Sequence, residues 1–142
     1  MEPEPKVNRR QTAELSILLK SFGFKHGIPA DADFVFDLRC LPNPHWNPEL
    51  RGLTGLDPKV AHFLDAQPQF ALMYEDILAF LKHWIPEYLN TNRSYLTVAL
   101  GCTGGQHRSV YMTEKLAKEL RNFYELLQTK HNELATHVTK TS

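Results

Sequence analysis

Apolar positions fall into separable patterns along the chain. Between Glu14 and Phe24, Leu15, Ile17, Leu19, Phe22 and Phe24 recur close to every second residue, the spacing of a strand rather than a helix. Gly27 and Pro29 break that pattern. From Phe34 to Leu38 nearly every side chain is apolar, which predicts a central strand covered on both faces, with Asp37 and Arg39 emerging at its C-terminal end. Cys40 to Asp57 is rich in proline and glycine and predicts a long loop, a class of segment that often carries function. Asp57-Pro58 is a helix start, aspartate capping and proline in the first turn, for a helix that runs to about Ala66. Leu72, Met73, Ile77, Phe80, Leu81, Trp84 and Ile85 mark a long amphipathic helix across Phe70 to Tyr88. Tyr95 to Leu100 is β-favouring and apolar. Val110, Leu116, Ala117, Leu120, Phe123 and Leu127 predict a last helix over Ser109 to Leu127, with Ser109 as its cap and polar chain beyond Gln128.

The order strand, strand, helix, helix, strand, helix implies an α/β fold with a short, largely parallel sheet flanked by helices. With 142 residues and 42% hydrophobic content, one domain is expected, over residues 14–131. Residues 1–13 read as a disordered lead or linker remnant and 132–142 as a polar tail. Lys+Arg and Asp+Glu both total 16, so no overall charge excess drives nucleic-acid binding, and any RNA contact needs a local patch. Lys115, Lys118, Arg121 and Lys130 are the candidates, although the acidic residues between them also fit a merely solvated face. Cys40 and Cys102 lack metal-ligand spacing, which argues against a zinc site and a disulfide framework and fits a cytoplasmic setting. No apolar run approaches the roughly 18 residues of a membrane span.

Ligands in parallel α/β folds sit at the C-terminal ends of strands, where two groups of polar residues are expected to converge. Asp37, Arg39 and His45 follow the second strand, and Cys102 to Ser109 follow the third. The second group passes from strand through Gly101, Gly104 and Gly105 into a helix, so that backbone N–H groups and a helix N-terminus can hold an anion, with His107 and Arg108 as side-chain donors. The loop lacks the Gly-Lys-Ser/Thr ending of a Walker motif and the glycine spacing of a dinucleotide fingerprint. A sugar phosphate or inorganic anion fits better than a nucleotide, and simple strand-to-helix packing is the bland alternative. Cys102, five residues, Arg108 and Ser109 also match the phosphate loop of tyrosine phosphatases, in which Cys102 would attack phosphorus, Arg108 hold the phosphoryl oxygens and Asp37 protonate the leaving group. Gly101 stands where such enzymes commonly have histidine.

Ser21-Phe22-Gly23-Phe24-Lys25-His26-Gly27, Phe36-Asp37-Leu38-Arg39, Leu41-Pro42-Asn43-Pro44-His45-Trp46, Leu53-Thr54-Gly55 and Gly101 to Ser109 together resemble the C-terminal domain of the RapZ RNase adapter family, across about residues 20–131. The resemblance implies a non-catalytic, cofactor-free bacterial regulator. Its domain would bind glucosamine-6-phosphate and, in enterobacterial members, a small regulatory RNA, so that sugar-phosphate supply controls amino-sugar synthesis. On matching positions His45, Thr103, Gly104, His107 and Arg108 would line the pocket, beside Asp37 and Arg39, with Gly105 and Ser109 in the same loop. The family also implies self-association and contact with an endoribonuclease. Enterobacterial relatives carry a strongly basic C-terminal tail, whereas residues 131–137 of this sequence are nearly neutral.

Overall fold

A computed structural model describes residues 15–135. The expected lead over residues 1–13 and the expected tail from residue 136 onward lie outside the described residues. In chain order the elements are strands β1 (Ser16–Gly23) and β2 (Phe34–Asp37), helices α1 (Pro58–Asp65) and α2 (Pro68–Leu89), strand β3 (Tyr95–Cys102), helix α3 (Arg108–Leu120) and strand β4 (Leu127–His131). Two single-turn 3-10 helices, Phe24–His26 and Pro44–Trp46, punctuate the connections.

The strands form one all-parallel sheet in the order β2-β3-β1-β4. Paired residues of a parallel sheet project to the same side, so the register row Phe34, Val98, Leu19 and Thr129 marks one face. That face carries the core: Ile17, Leu19, Leu96, Val98, Leu100 and Leu127 are buried in one cluster with Leu81 and Ile85 of α2 and Leu116 and Leu120 of α3. Phe34 and Phe36 meet Phe80 edge-on at 5.2 and 5.5 Å, which seats α2 on the β2 side. The β1–β2 connection is fastened to the opposite face. Lys20, only 6% exposed, pairs with Asp31 at 3.0 Å, and Asp33 bonds both the N–H and the carbonyl of Thr97. From β1 the chain steps towards β2, and the two later crossovers step the other way; right-handed crossovers put connections of opposite direction on opposite faces.

Three sequence expectations are corrected. The second strand lies at the sheet edge, with Val35 and Asp37 exposed, and the strands buried along their length are β3 and β1. Four apolar residues cannot distinguish a strand buried on two faces from one that uses Phe34 and Phe36 inward. The last helix ends at Leu120 rather than Leu127, because a turn through Arg121–Tyr124 lets Tyr124 rejoin the core while Phe123 stays exposed. Leu127–His131 then forms a strand that the sequence reading left in polar chain. Its inward positions are Leu127, Thr129 and His131, and two of those three are polar, so alternation is hidden. The start of α1 matches expectation: Asp57 accepts the Lys59 N–H at 2.8 Å, and Pro58 occupies the first turn.

Candidate anion-binding site

The three strands β2, β3 and β1 end side by side, and the loop from Thr103 to His107 rises between them. Neighbouring segments hold two of its carbonyls: Thr103 O accepts from Lys25 N–H at 3.2 Å and Gln106 O from Gly55 N–H at 2.8 Å, while His107 O starts the helical bonding by accepting from Tyr111 N–H at 3.0 Å; just before the loop, Gly101 O accepts from Leu38 N–H at 2.8 Å. By contrast, none of the backbone N–H groups from Thr103 to Arg108 meets an acceptor among the described residues. Helix α3, 13 residues long, begins at Arg108 with His107 at its cap position and no side-chain cap bond. The expected capping role of Ser109 is therefore corrected: the residue is wholly buried one position inside the helix, bonded to Cys102. A run of N–H groups unpaired among the described residues and leading into an uncapped helix N-terminus has the geometry that can hold an anion.

Close backbone contact fixes this shape. A Cβ on Gly23 would lie 2.6 Å from the Gly104 carbonyl carbon, and one on Gly55 would lie 2.5 Å from the His107 oxygen and 2.6 Å from the Tyr111 nitrogen. Gly105 holds φ at +73°, a region that L side chains avoid. The Cβ direction of Gly104 meets nothing within 4 Å, so room for a ligand opens there.

Arg108 is 3% exposed. Its Nη1 donates to the Arg39 carbonyl at 3.0 Å and the Leu41 carbonyl at 2.9 Å, tying the start of the long loop to α3. Its Nε is buried without a partner, and the Nε/Nη2 edge has no protein acceptor among the described residues. That edge is the one with which a guanidinium grips two oxygens. His107 is also buried, and its Nε2 lacks a partner. Burial pushes its pKa down; the nearby carbonyls of Leu53, Leu50 and Arg51 oppose this with smaller effect, so the ring is neutral at physiological pH.

Asp37 and Arg39 stand at the rim. Arg39 binds Asp37 through Nε at 3.0 Å, Nη2 at 2.7 Å and its own N–H at 2.9 Å, and its guanidinium lies 3.8 Å over the Phe24 ring. The Arg39 hydrogen bonds hold the Asp37 carboxyl below the usual carboxylate range. His45 is exposed on the Pro44–Trp46 turn, set by the Asn43 side chain, next to Trp46, which is 75% exposed. Thr103 is exposed on the loop. The Cys102 thiol is buried and donates to Ser109 Oγ at 3.2 Å.

The four basic candidates do not form one patch. Lys115 is occupied by Asp65 at 3.1 Å and lies over the Tyr74 ring, Lys118 and Arg121 are exposed at the end of α3, and Lys130 pairs in register with Lys20 on the face away from the helices.

Residues after β4 join the site although the sequence reading assigned them no role there. Glu133 Oε2 accepts the Gly23 N–H at 3.2 Å, and its backbone carbonyl accepts Gln106 Nε2 at 3.0 Å. Upstream, Ser21 Oγ lies 2.7 Å from His131 Nδ1, and His131 Nε2 lies 2.6 Å from Glu114 Oε2. Ser21 is fully buried, so this chain fastens β4 to β1 and α3. The hydrogen bond from His131 holds the Glu114 carboxyl below its ordinary pKa of 4.5, against the opposing effect of burial. A depressed carboxylate pKa adds stability that is present above the unfolded value and is lost as pH falls through the folded one. Glu114→Gln is therefore expected to lower unfolding stability by about 1 kcal/mol near pH 7, the side chain being partly solvent-screened, and to converge with the parent in acid. Urea unfolding midpoints between neutral pH and pH 3 check this; a difference that persists in acid would assign the loss to packing.

The model of the RapZ C-terminal domain matches residues 15–135. The chain belongs to that family. It is 56% identical over 120 residues to a protein of Saccharophagus degradans named nucleotide-binding protein, covering 84% of this chain and 41% of that protein. A nucleotide-binding protein of Cellvibrio japonicus is 52% identical over 132 residues, 93% of this chain and 44% of that protein, and one of Hahella chejuensis is 49% identical over 130 residues, 92% and 46%. The chain thus spans less than half the length of these relatives. No helix among the described residues is long and apolar enough to cross a membrane.

Proposed function

We propose that this domain is a regulatory binding module for a sugar phosphate, with glucosamine-6-phosphate the ligand that the family resemblance implies. The observation that carries the reading is the Thr103–Arg108 run of N–H groups without acceptors, ending at an uncapped helix beside the unpartnered edge of a buried arginine. A phosphoryl group supplies the acceptors that this arrangement lacks. His45 and Thr103, both exposed, read the sugar in this proposal. In a cytoplasmic bacterial regulator, occupancy would bias contacts with a small RNA, an endoribonuclease or a second copy of the chain, and so tie amino-sugar synthesis to sugar-phosphate supply. Such coupling is allosteric where the sugar phosphate and the partner change each other's affinity by the same factor.

Two observations weigh against phosphatase turnover at Cys102. The thiol is buried, and Asp37 is held ionised by Arg39, which removes the acid that a leaving group needs. Calorimetric titration with glucosamine-6-phosphate, inorganic phosphate and glucosamine tests the proposal: saturable heat is expected with the first, weaker heat with phosphate and none with glucosamine. Cys102→Ser is expected to leave this binding within about threefold, since the serine hydroxyl preserves a bond to Ser109. Absence of heat with any sugar phosphate, together with phosphate release that the serine variant abolishes, would reverse the assignment.

A further inference from the structure

We propose that Glu133 is a specificity-determining residue, whose carboxylate selects phosphate esters that also carry a protonated amine. The inference rests on the sugar-phosphate reading of the loop and adds a second, oppositely charged contact to it. Every other feature of the cradle donates hydrogen bonds: the Thr103–Arg108 N–H groups, the helix N-terminus and the Arg108 edge. A cradle of donors alone recognises the phosphoryl end and is indifferent to an amine on the remainder of the ligand.

Two carboxylates stand beside the cradle, and they differ in spare capacity. Asp37 already accepts three bonds from Arg39. Among the described residues Glu133 accepts one, from Gly23 N–H at a long 3.2 Å, and its other oxygen has only the ring nitrogen of the exposed His26, at 3.8 Å. An ionised carboxylate has about four lone-pair positions, so most of Glu133's acceptor capacity is unused. Its placement is fixed rather than incidental. The side chain is 15% exposed, its methylene lies directly over the α-carbon of Gly105, where any Cβ would collide with it, and Gln106 anchors its backbone. Gly23, whose N–H it holds, abuts the Gly104 carbonyl, and the open space of the loop lies over Gly104. The charge therefore sits at the Gly23 end of β1, which packs against Gly104 and Gly105 of the loop. A fixed anion there attracts an ammonium through a charge-assisted bond and adds nothing favourable for a neutral hydroxyl's ester beyond an ordinary hydrogen bond.

Glu133→Gln keeps the shape and an oxygen acceptor for Gly23 while removing the charge. Titration of parent and variant with glucosamine-6-phosphate and glucose-6-phosphate separates the possible results. The parent is expected to favour the amino ester by about tenfold, and the variant to reduce that ratio to about unity, with no loss of glucose-6-phosphate affinity because a negative charge beside the phosphate is removed. An unchanged ratio, or an equal loss for both esters, overturns the role of Glu133, the second result making it a support for the loop. Failure of the parent to bind either ester overturns the sugar-phosphate reading instead, so the two failures are distinct.

Discussion

Arg108→Ala is expected to weaken glucosamine-6-phosphate binding by at least about 100-fold, because the change removes a guanidinium whose buried Nε has no partner among the described residues. The same substitution costs stability. It strips the donor from the carbonyls of Arg39 and Leu41, and an unpaired buried acceptor costs about 1–3 kcal/mol. Arg108→Lys divides the two contributions: a lysine restores the charge and can reach one carbonyl, yet it has no planar fork, so stability is expected to recover more than affinity. Calorimetry alongside urea unfolding reads both. Full affinity in a folded Arg108→Ala protein would remove the arginine from the site and leave the backbone to account for any anion binding.

Gly105→Ala is expected to lose about 3 kcal/mol or more of stability and, where folded, to bind no sugar phosphate. The φ of +73° alone disfavours alanine, and the added carbon would lie 2.6 Å from the Gly23 nitrogen and 2.7 Å from the Phe22 carbonyl carbon, both backbone atoms of a central strand. Neither can move aside without shifting β1. Gly104→Ala is the internal control for stability, since its Cβ direction is open and its backbone needs no positive φ, although the added methyl enters the space left for a ligand. Unfolding curves for the pair check the contrast; equal stability of the two variants would show that the loop yields easily.

These expectations also mark what the sequence made readable. The cradle was legible because its parts are neighbours in the chain: an apolar run, three glycines, His107, Arg108 and a helical stripe within one short stretch. Asp37 and Arg39 were legible as charges at a strand end, and the structure puts them at the rim, bonded to each other. The contribution of the last strand was not legible. Ser21 and His131 are 110 positions apart, and nothing local says that a histidine and a threonine stand on the inner side of a strand. With residues 128–131 read as polar chain after the last helix, Glu133 could only fall in a tail. The length and prolines of the loop after Cys40 marked it as a candidate wall of the site. What fastens it, the Gly55 amide on Gln106 and the Arg108 guanidinium on two carbonyls, depends on tertiary contacts that no spacing encodes.

The strand order has a consequence for synthesis. Among the described strands, β1 is the earliest in the chain and lies in the interior of the sheet, and one of its two neighbours, β4, is the latest. Until residues 127–131 have been translated, β1 presents an unpaired edge along Ile17–Ser21, and the N–H of Gly23 lacks its Glu133 acceptor. Closing that pairing joins segments about 110 residues apart, the kind of contact that forms late and slowly. The glycine loop and the completed sheet therefore mature in the same step, so a chain cut before residue 127 would lack both the finished sheet and the Glu133 contact with Gly23 beside the loop.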